Sequence, residues 1–572
     1  MHAKALAALA LGIGVCGATP AATSPDIVTL SIVATTDLHG NVVPRDGRGG
    51  LAEFGGYVHN LRAARADDGG AVVLVDSGDT FQGGIESDLS EGAVVVDAYA
   101  ALGYAAAAIG NHEFDFGAAD GPGAREPPGA DPRGAIKAAA ARAPFPFLAA
   151  NLIDDATGKR VAWPNVHAST LLTAAGVRVG IVGVMAIDAL RATLRANVQG
   201  LHVAPLLDTV AAEATALRTR GAQIVIVAAH AGGACADLMA PHDLSSCDPD
   251  SEIFALARSL PSGLVDVIAA GHTHQAVAQE VAGIAIVEAY ALGRAFGRVD
   301  VAFDRRSHEV VQRTIFPPRD ICLPQAQGGG CRVTGTAVES YEGRVLTRDP
   351  AIDAAMEPAL ARVHALQAVP LGVVLDTPIP RAATPDSPLG NLFADAQRER
   401  SGSDVAINNN VRGGLRADLP AGPLTFGRLY DVFPFDNRLL TLQITGAELR
   451  AVLADEVRRN RRGALALSGV EARVACSAAG ELDVEVVRAN GTPLGADERV
   501  TVVATDQLVL GPVFAAVPSA AHANPVGAPL LRETVEDWLR ERGGHLAASD
   551  FARADRPRWR FAADDLAACV PP

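Results

Sequence analysis

The chain has 572 residues, more than a single hydrophobic core usually organises, so two domains are expected. Its composition is 49% hydrophobic and 20% charged, and no apolar run after the N-terminus is long enough to span a bilayer, which predicts a soluble protein without a transmembrane segment. The formal net charge of −16 argues against a nucleic-acid polymer as substrate, because its backbone needs a basic surface. Small anions stay compatible, since metals and arginines can supply local positive charge.

Residues 1–22 have the pattern of an export signal. Lys4 precedes an apolar stretch at 5–15, and small residues follow at 18, 21 and 22. Cleavage is therefore predicted near Ala22. The mature protein is therefore predicted to be periplasmic or secreted. Cys16 raises the alternative of a lipoprotein anchor, although Val15 stands where such a signal usually has Gly, Ala or Ser.

Six cysteines remain after the signal, an even number that pairs by neighbourhood along the chain. Disulfides persist in exported compartments, so three are predicted, two of them closing short loops. Reduced, buried thiols are the alternative, and zinc held by paired cysteines is less favoured because no Cys-x-x-Cys occurs. The predicted pairs are Cys235–Cys247, Cys322–Cys331 and Cys476–Cys569.

Residues 27–318 have the pattern of a layered α/β domain, in which short β-branched runs alternate with Gly-containing turns and Ala-rich helical stretches. A Gly- and Pro-rich segment at 117–134 is typical of a surface insertion. Five of the apolar runs are predicted to be strands that carry functional side chains at their ends. They lie at 27–35, 71–75, 104–109, 224–229 and 265–270.

A Pro-, Gly- and Cys-rich stretch marks the end of the first domain, and residues 319–370 are predicted to be a linker with a helix at 351–367. A second α/β domain is predicted at 371–562. Its strands are expected at 405–407, 439–444, 484–487 and 500–504.

Each of the five apolar runs of the first domain ends in a short polar motif. Loops at the carboxyl ends of neighbouring strands converge on one crevice of an open sheet. A single buried histidine is more often a satisfied core residue than a ligand, but five of the fourteen histidines stand in these motifs, which favours a shared site. The motifs are Asp37-Leu-His39, Gly78-Asp79, Gly110-Asn111-His112-Glu113, His230 and Gly271-His272-Thr273-His274.

Seven side chains from these motifs are candidate metal ligands. They offer imidazole, carboxylate and amide groups without sulfur, which suits Zn, Mn, Fe or Co at a catalytic site and not a structural zinc cage. Seven ligands are too many for one tetrahedral ion and fit two divalent ions that share Asp79. Two ions roughly 3.5–4 Å apart can hold a hydroxide nucleophile and offset charge that develops in line. The candidates are Asp37, His39, Asp79, Asn111, His230, His272 and His274.

His112 is better assigned to the reaction than to the metals. Asp115, three residues on, could orient the imidazole and raise its basicity, so that His112 stabilises the transition state or protonates the leaving oxygen. The alternative is that Asp115 only caps a helix.

In order and spacing, the five motifs resemble the calcineurin-like metallophosphoesterases, whose signature is DxH, GD, GNHE, a lone His and GHxH. The resemblance implies a four-layer β-sandwich flanked by helices. It also implies two ligand sets with Asp79 in both. One is Asp37, His39, Asp79 and His274, and the other is Asp79, Asn111, His230 and His272.

The second domain contains Pro388-Leu-Gly-Asn-Leu-Phe-Ala-Asp395, then Asn408-Asn-Asn-Val-Arg-Gly-Gly-Leu-Arg416, then Phe433-Pro-Phe-Asp-Asn437. These motifs resemble the C-terminal domain of the 5'-nucleotidase family, which implies a smaller α/β domain that binds substrate. The fold class predicted for the whole chain is therefore α/β, with a linker helix between the two domains.

The resemblance makes Arg416 a phosphate ligand, with Arg412 and Arg381 as companions, because guanidinium groups grip phosphate oxygens in pairs. It makes Phe435 one wall of a base-stacking slot, with Asn437 beside it for a polar contact. The alternatives are that the arginines are surface charges and that Phe435 belongs to the domain core.

Two stretches depart from the family pattern. Members carry a sequence like NDFLASGGDGY, whose Phe forms the second wall of the slot, but this chain has TDQLVLGPVF at 505–514, with Leu508 near the expected Phe and Phe514 further on. Val411 and Arg412 also separate the asparagines from Gly413 and Gly414. Asn409 and Asn410 both remain candidates for a substrate contact, with Asn410 favoured.

The predicted function is a metal-dependent phosphomonoester hydrolase, a 5'-nucleotidase that releases phosphate from nucleoside monophosphates by two-metal activation of water. The alternatives are a nucleotide-sugar or 2',3'-cyclic nucleotide hydrolase, or a periplasmic thiosulfohydrolase of the same superfamily. A non-enzymatic binding protein is least favoured because no ligand is lost. The predicted partner is a small phosphate ester without an obligate protein partner, and the helix at 351–367 is a candidate hinge.

Overall fold

The structure is a computed structural model, and the residues that it describes run from 26 to 570 with several gaps. The predicted export signal, Cys331, Arg412 and Gly413 therefore lie outside the described residues. The gaps are 120–129, 323–339, 382–385, 411–413, 461–463, 478–479, 524, 526–527, 553–554, 563–565 and 567–568.

Two large sheets form the centre of the first half of the chain. The strand Ile27–Thr35 is buried along almost its whole length, because a sheet covered on both faces excludes water from both sides of each strand. The first sheet has seven strands, in the order Glu309–Asp320, Ala295–Asp304, Ile27–Thr35, Ala71–Asp76, Ala106–Ala108, Phe147–Leu148 and Val166–His167. The second has six, in the order Ala276–Val281, Ile284–Ala289, Val267–Ala270, Ile224–His230, Val177–Met185 and Ser169–Ala174.

The two sheets pack face to face. Alternate side chains such as Leu30 and Ile32 of the first sheet and Val179 and Ile181 of the second share one buried apolar cluster. Helices cover the outer faces, with Leu51–Asp68 against the first sheet and Leu206–Thr219 against the second. The predicted four-layer sandwich and all five predicted strands of this half are confirmed.

Two three-stranded sheets and one four-stranded sheet form the second half. The larger has four strands, in the order Leu439–Thr445, Arg499–Thr505, Val405–Asn409 and Leu465–Ser468. One three-stranded sheet has the order Gly422–Thr425, Pro370–Leu375 and Gly544–Leu546. The other has the order Leu482–Arg488, Val470–Cys476 and Trp559–Phe561. A short strand pair, Ser340–Tyr341 and Arg344–Val345, precedes these sheets in the chain. The first half also contains a three-stranded sheet, in the order Leu201–Val203, Leu152–Asp154 and Lys159–Arg160. All four strands predicted for this half from the sequence are present.

The helix Pro350–Gln367 connects the halves, one residue longer than predicted. Its start is fixed by Asp349, whose side chain accepts a hydrogen bond from Ala351 N at 2.9 Å, and by Pro350 in the first turn. The other α-helices are Leu51–Asp68, Ile85–Asp88, Ala93–Leu102, Gly134–Arg142, Arg195–Val198, Leu206–Thr219, Glu252–Ser259, Pro388–Ser401, Phe426–Val432, Gly446–Asn460, Asp506–Val509, Leu531–Arg542 and Ala548–Phe551.

Two predicted disulfides are confirmed, Cys235–Cys247 and Cys476–Cys569. The third prediction involves Cys331 and falls outside the described residues. No helix in the described ranges has the length and apolar character needed to cross a membrane.

The two halves meet through a small cluster separate from their own cores. Ile85, Leu89, Val363 and Tyr430 are buried together there. The hydroxyl of Tyr430 donates a hydrogen bond to Asp88 Oδ2 at 2.7 Å, and Asp88 Oδ1 accepts one from a backbone amide. Burial raises the pKa of Asp88 to about 8, more than its hydrogen bonds lower it.

We expect Asp88→Asn to change how stability depends on pH. The pKa of Asp88 is raised in the folded protein, so its contribution to stability is present at acidic pH and is lost as the pH rises to about 8. An amide resembles the protonated acid and does not titrate. The melting temperature of Asp88→Asn relative to wild type should therefore increase between about pH 5 and about pH 9. Asp208→Asn, at an exposed position, is the control, and a constant difference for Asp88→Asn would contradict the expectation.

Candidate metal centre and adjoining cavity

The predicted ligands lie where the carboxyl ends of the parallel strands of both sheets meet. Asp37 and Asp79 follow strands of the first sheet, and His230 and His272 stand at the ends of strands in the second. The two sheets are joined at this edge by a hydrogen bond from Ser77 Oγ to Ala269 O at 2.8 Å. Five of the seven candidates have the left-handed backbone that non-glycine residues rarely adopt, with φ between 47° and 78°. They are Asp37, His39, Asp79, His272 and His274.

The first cluster consists of Asp37, His39 and His274, whose ligand atoms lie within 4.8 Å of one another. His39 Nε2 is 3.0 Å from His274 Nε2, and His274 Nε2 is 3.3 Å from Asp37 Oδ1. Asp37 and His39 are buried, whereas the His274 side chain is 45% exposed, so the cluster opens to solvent on one side.

The second cluster consists of Asp79, His230 and His272, again within 4.8 Å. His230 Nε2 lies 3.2 Å from Asp79 Oδ2, 3.0 Å from His272 Nδ1 and 3.0 Å from the amide oxygen of Asn111. All seven predicted ligands are thus brought into two neighbouring groups.

One oxygen lies between the groups. Asp79 Oδ2 is 3.2 Å from His230 Nε2 in the second cluster and 4.0 Å from His39 Nε2 in the first. The other oxygen, Oδ1, accepts a hydrogen bond from the backbone amide of His112 at 2.8 Å. This geometry suits a carboxylate that two cations share.

The chemistry of these atoms fits divalent cations. His39 Nδ1 lies 2.8 Å from Gln82 O and His230 Nδ1 lies 3.0 Å from Ser77 O, so each ring donates its Nδ1–H to a carbonyl and turns Nε2 towards the centre. Asp37 Oδ1 is buried and accepts no hydrogen bond from the described residues, although His274 Nε2 lies 3.3 Å away. A buried carboxylate oxygen without a hydrogen bond is costly unless a cation binds it.

The charges within the clusters act strongly on one another. Burial lowers the pKa of His39 and of His272, which favours the neutral rings that metal binding needs. Burial also lowers the pKa of His230, but the adjacent carboxylate of Asp79 raises it to about 9, because its Nε2 faces that oxygen. A cation between the two atoms would take the place of that proton.

His112 and Asp115 form the predicted pair beside the clusters. His112 Nδ1 lies 2.5 Å from Asp115 Oδ2. Burial lowers the pKa of His112, but the carboxylates of Asp115 and Asp79 raise it to about 10. Asp115 directly follows the 3-10 helix His112–Phe114, and its side chain bonds to His112 instead of capping a helix.

Glu113, which has no role in the prediction from sequence, holds the backbone of two ligand loops. Its carboxylate accepts hydrogen bonds from the amides of Asp79 at 2.9 Å, Thr80 at 2.6 Å and Gly110 at 2.6 Å. It is buried and also accepts from the hydroxyl of Thr80. The position of Glu113 within the GNHE motif could have indicated a role at the site. Only the fold shows which backbone amides it bonds to.

A cavity of about 380 Å³ adjoins the centre between the two halves of the chain. The first half contributes His112 and Asp115 together with the segment 191–195. The second half contributes Phe435 and Asn437. The remaining lining residues are Gln82, Asp88, Phe116, Pro434, Asp436, Asp506, Gln507, Leu510, Gly511 and Pro512.

The predicted substrate residues are only partly brought to this cavity. Phe435 and Asn437 line it, whereas Arg381, Arg416, Asn410 and Gly414 do not. Arg416 is exposed and places its guanidinium over the Phe435 ring, 4.8 Å from the centroid. Arg381 lies beside this loop, since its Nη1 donates a hydrogen bond to Leu415 O at 3.2 Å. Partial desolvation, and then the charge of Arg381, lower the pKa of Arg416.

Neither Leu508 nor Phe514 faces Phe435 across the cavity. Both are buried in the core of the second half, at 4% and 0% exposure. The turn formed by Leu510, Gly511 and Pro512 lines the cavity in their place. Asn410 is also buried, with its amide nitrogen unpartnered among the described atoms.

Comparison with known proteins agrees with this architecture. Residues 30–276 match the family model of the calcineurin-like phosphoesterases, and residues 368–513 match that of the 5'-nucleotidase C-terminal domain. This chain belongs to the 5'-nucleotidase family of metallophosphoesterases. Members of this family are hydrolases that act on phosphoester bonds and use divalent metal ions.

Individual relatives of this metallophosphoesterase are distant. It is 26% identical over 538 residues to the protein UshA of Yersinia enterocolitica, covering 89% of this chain and 90% of UshA. It is 27% identical over 450 residues to endonuclease YhcR of Bacillus subtilis, covering 75% of this chain but 33% of YhcR, so it spans about a third of that protein. The structure of a 5'-nucleotidase precursor from Thermus thermophilus has the same fold, with a TM-score of 0.59 at 23% identity, covering 94% of this chain and all of that one.

We expect Glu113→Gln to destabilise this metallophosphoesterase. An amide keeps the size of the side chain but replaces one acceptor oxygen with a donor that faces backbone N–H groups. Each buried N–H left without a partner costs about 1–3 kcal/mol. Denaturant unfolding of the metal-free protein should show a loss of that order, whereas Glu213→Gln, a partly exposed control, should not. Equal stability of the two variants would contradict the role assigned to Glu113.

Proposed function

We propose that this protein is a 5'-nucleotidase that releases phosphate from nucleoside monophosphates. The observation that carries the proposal is the cavity beside the two ligand clusters, which has His112 on one side and an aromatic ring, Phe435, on the other. Its volume of about 380 Å³ falls within the range of small-molecule sites, roughly 300–1,000 Å³.

Two divalent ions, of Zn, Mn, Co or Fe, are proposed to bind here. The first would be held by Asp37, His39, Asp79 and His274, and the second by Asp79, Asn111, His230 and His272. When bound, such ions supply a nucleophile from water and offset the negative charge of the phosphoryl group.

His112 is proposed to act on the ester oxygen that leaves. Asp115 accepts the Nδ1–H of the ring, so a proton on Nε2 is available to a group in the cavity that His112 lines. Transfer of the Nε2 proton to that oxygen would neutralise the alkoxide as the P–O bond breaks. The exposed Arg416 and its neighbour Arg381 are proposed to attract the phosphate from outside the cavity.

The lining of the cavity favours a leaving group that carries a base. Phe435 offers an aromatic ring and Asn437 lies beside it. A nucleoside can stack its base on Phe435, and its N–H and O–H groups can donate to the carboxyl groups of Asp88 and Asp506. The lining therefore supports a nucleoside as the leaving group.

The domain boundaries and cellular location are part of the same proposal. We assign the catalytic domain to residues 27–318, the linker to 319–370 and the substrate-binding domain to 371–562, with a hinge in the linker helix. Export to the periplasm or medium is supported by the N-terminal signal pattern and by the two disulfides.

Phosphate release should depend on bound metal and on Asp79. We expect purified protein with Mn²⁺ or Co²⁺ to hydrolyse AMP faster than UDP-glucose or 2',3'-cyclic AMP, and a chelator to abolish turnover. Asp79→Ala should reduce kcat at least about 100-fold, because it removes the oxygen shared by both clusters. Metal content by mass spectrometry should fall below two ions per chain in the variant.

Asp208→Ala, an exposed aspartate away from the site, should keep wild-type turnover. Absence of phosphate release from every ester by metal-loaded protein would overturn the proposed activity. A preference for UDP-glucose would replace the nucleotidase assignment with the nucleotide-sugar alternative.

Phe435→Ala should raise KM for AMP and leave that for ribose 5-phosphate, which has no base to stack, nearly unaffected. Stacking on an aromatic ring contributes about 1–3 kcal/mol per base, which corresponds to roughly a 5- to 150-fold change in KM when binding limits it. Steady-state kinetics with both substrates measures the difference. Phe561→Ala, another aromatic of the second half outside this cavity, is the control, and an equal change with both substrates would argue for a packing role.

A further inference from the structure

The segment 189–198 lies beside residues 111–115, which contain His112 and Asp115, and it belongs to none of the sequence motifs described above. It consists of the short helices Ala189–Ala192 and Arg195–Val198 with Thr193 and Leu194 between them. Residues 191–195 line the cavity beside His112 and Asp115. The segment therefore contacts both the groups that act on the substrate and the space that the leaving group would fill.

Three hydrogen bonds connect this segment to residues 111–115. Asn111 Nδ2 donates to Ala192 O at 3.4 Å, and Asn197 Nδ2 donates to Phe114 O at 2.7 Å. The shortest is that of Thr193, whose hydroxyl donates to Asp115 Oδ1 at 2.5 Å.

We propose that Thr193 is a positioning residue for the reaction, acting on His112 through Asp115. Among the described residues, each oxygen of the Asp115 carboxylate has a hydrogen-bond donor: Oδ2 accepts from His112 Nδ1 and Oδ1 accepts from Thr193 Oγ1. The two bonds fix the plane of the carboxylate, and that plane fixes the direction of the imidazole ring. The proposal rests on the role proposed for His112.

The local backbone supports this role. Thr193 is extended, with φ −130° and ψ −179°, and so separates two helical turns that hold it from both sides. A β-branched side chain has few rotamers, which keeps the hydroxyl in one direction at low entropic cost. Asp115 is 14% exposed, so without Thr193 water could reach Oδ1 and the carboxylate could rotate.

A purely structural role predicts a different outcome from a positioning role. If the hydroxyl only satisfies a buried oxygen, its loss lowers stability and affects all substrates alike. If it positions His112 as the proton donor, its loss matters where the leaving oxygen needs a proton. Phenyl phosphate has a basic leaving group and 4-nitrophenyl phosphate a weakly basic one, yet their shapes are similar, so the pair isolates proton donation.

The experiment compares Thr193→Val, Thr193→Ser and wild-type protein loaded with Mn²⁺. For phenyl phosphate, Thr193→Val should lower kcat about tenfold or more with KM within about twofold, since proton transfer contributes roughly 10²–10⁴-fold and misalignment forfeits part of it. For 4-nitrophenyl phosphate, kcat should stay within about twofold. Thr193→Ser restores the hydroxyl and should recover kcat with phenyl phosphate.

Thr501→Val is the matched control, because Thr501 Oγ1 also donates to an aspartate, Asp404, at 2.8 Å in the second half of the chain. Its kinetics should equal those of wild type. If Thr193→Val does not fold, Thr193→Ala tests the same hydroxyl.

Equal losses with both aryl phosphates, a failure of Thr193→Ser to recover, or wild-type kinetics in Thr193→Val would each overturn the proposal. Neither substrate contains a nucleoside, so these outcomes stay separate from the test of nucleotidase activity. If the wild-type protein hydrolysed the aryl phosphates but not AMP, the nucleotidase assignment would be wrong. The test of Thr193 would still be valid.

Discussion

The position of the Asp79 carboxylate is the constraint on which the rest of the site depends. One of its oxygens lies between two clusters that come from different sheets, so the loop after Asp76 must reach the junction of both. The backbone at Asp79 has φ 56°, a conformation that costs free energy in a non-glycine residue. Glu113 offsets this cost by accepting hydrogen bonds from the amides around it. Residues far apart in the sequence thus hold one strained turn.

The same turn continues into the contact between the two halves of the protein. Gln82 O orients His39, and Asp88, a few residues later, bonds to Tyr430 of the second half. Residues 79–88 therefore join the carboxylate between the two clusters, the orientation of the His39 ring and the placement of the cavity wall. A shift of the second half would therefore change the position of His39 through residues 82–88, which connect its hydrogen-bond partner to Asp88.

The strands and the gathering of the ligands could be predicted because they depend on local sequence. Runs of β-branched residues are buried wherever a sheet forms, and a polar residue just after such a run stands at the sheet edge whatever the rest of the chain does. The resemblance to known families predicted two ligand sets, and the structure brings these side chains together in two neighbouring clusters. Two disulfides followed from pairing consecutive cysteines along the chain, with sequence separations of 12 and 93.

Side-chain direction away from the strands could not be predicted in this way. Leu508 was expected near the second wall of the slot, but it lies on a short helix that turns it into the core, where burial of an apolar side chain is more favourable. Glu113 and Thr193 bond to partners about 30 and 80 residues away, so spacing along the chain does not show which groups they meet. Arg416 matched its motif, but its position over Phe435 depends on how two loops pack.

The two described disulfides have a consequence for the order of folding. Cys235–Cys247 closes a loop with a sequence separation of 12 in the first half, and Cys476–Cys569 spans 93 residues within the second half. Neither crosses between the halves, so the first can be oxidised as soon as residue 247 has reached an oxidising compartment, whereas the second must wait until nearly the whole chain has arrived there. During that interval the first half can fold without its partner, and the Asp88–Tyr430 contact can form only after Tyr430 has followed.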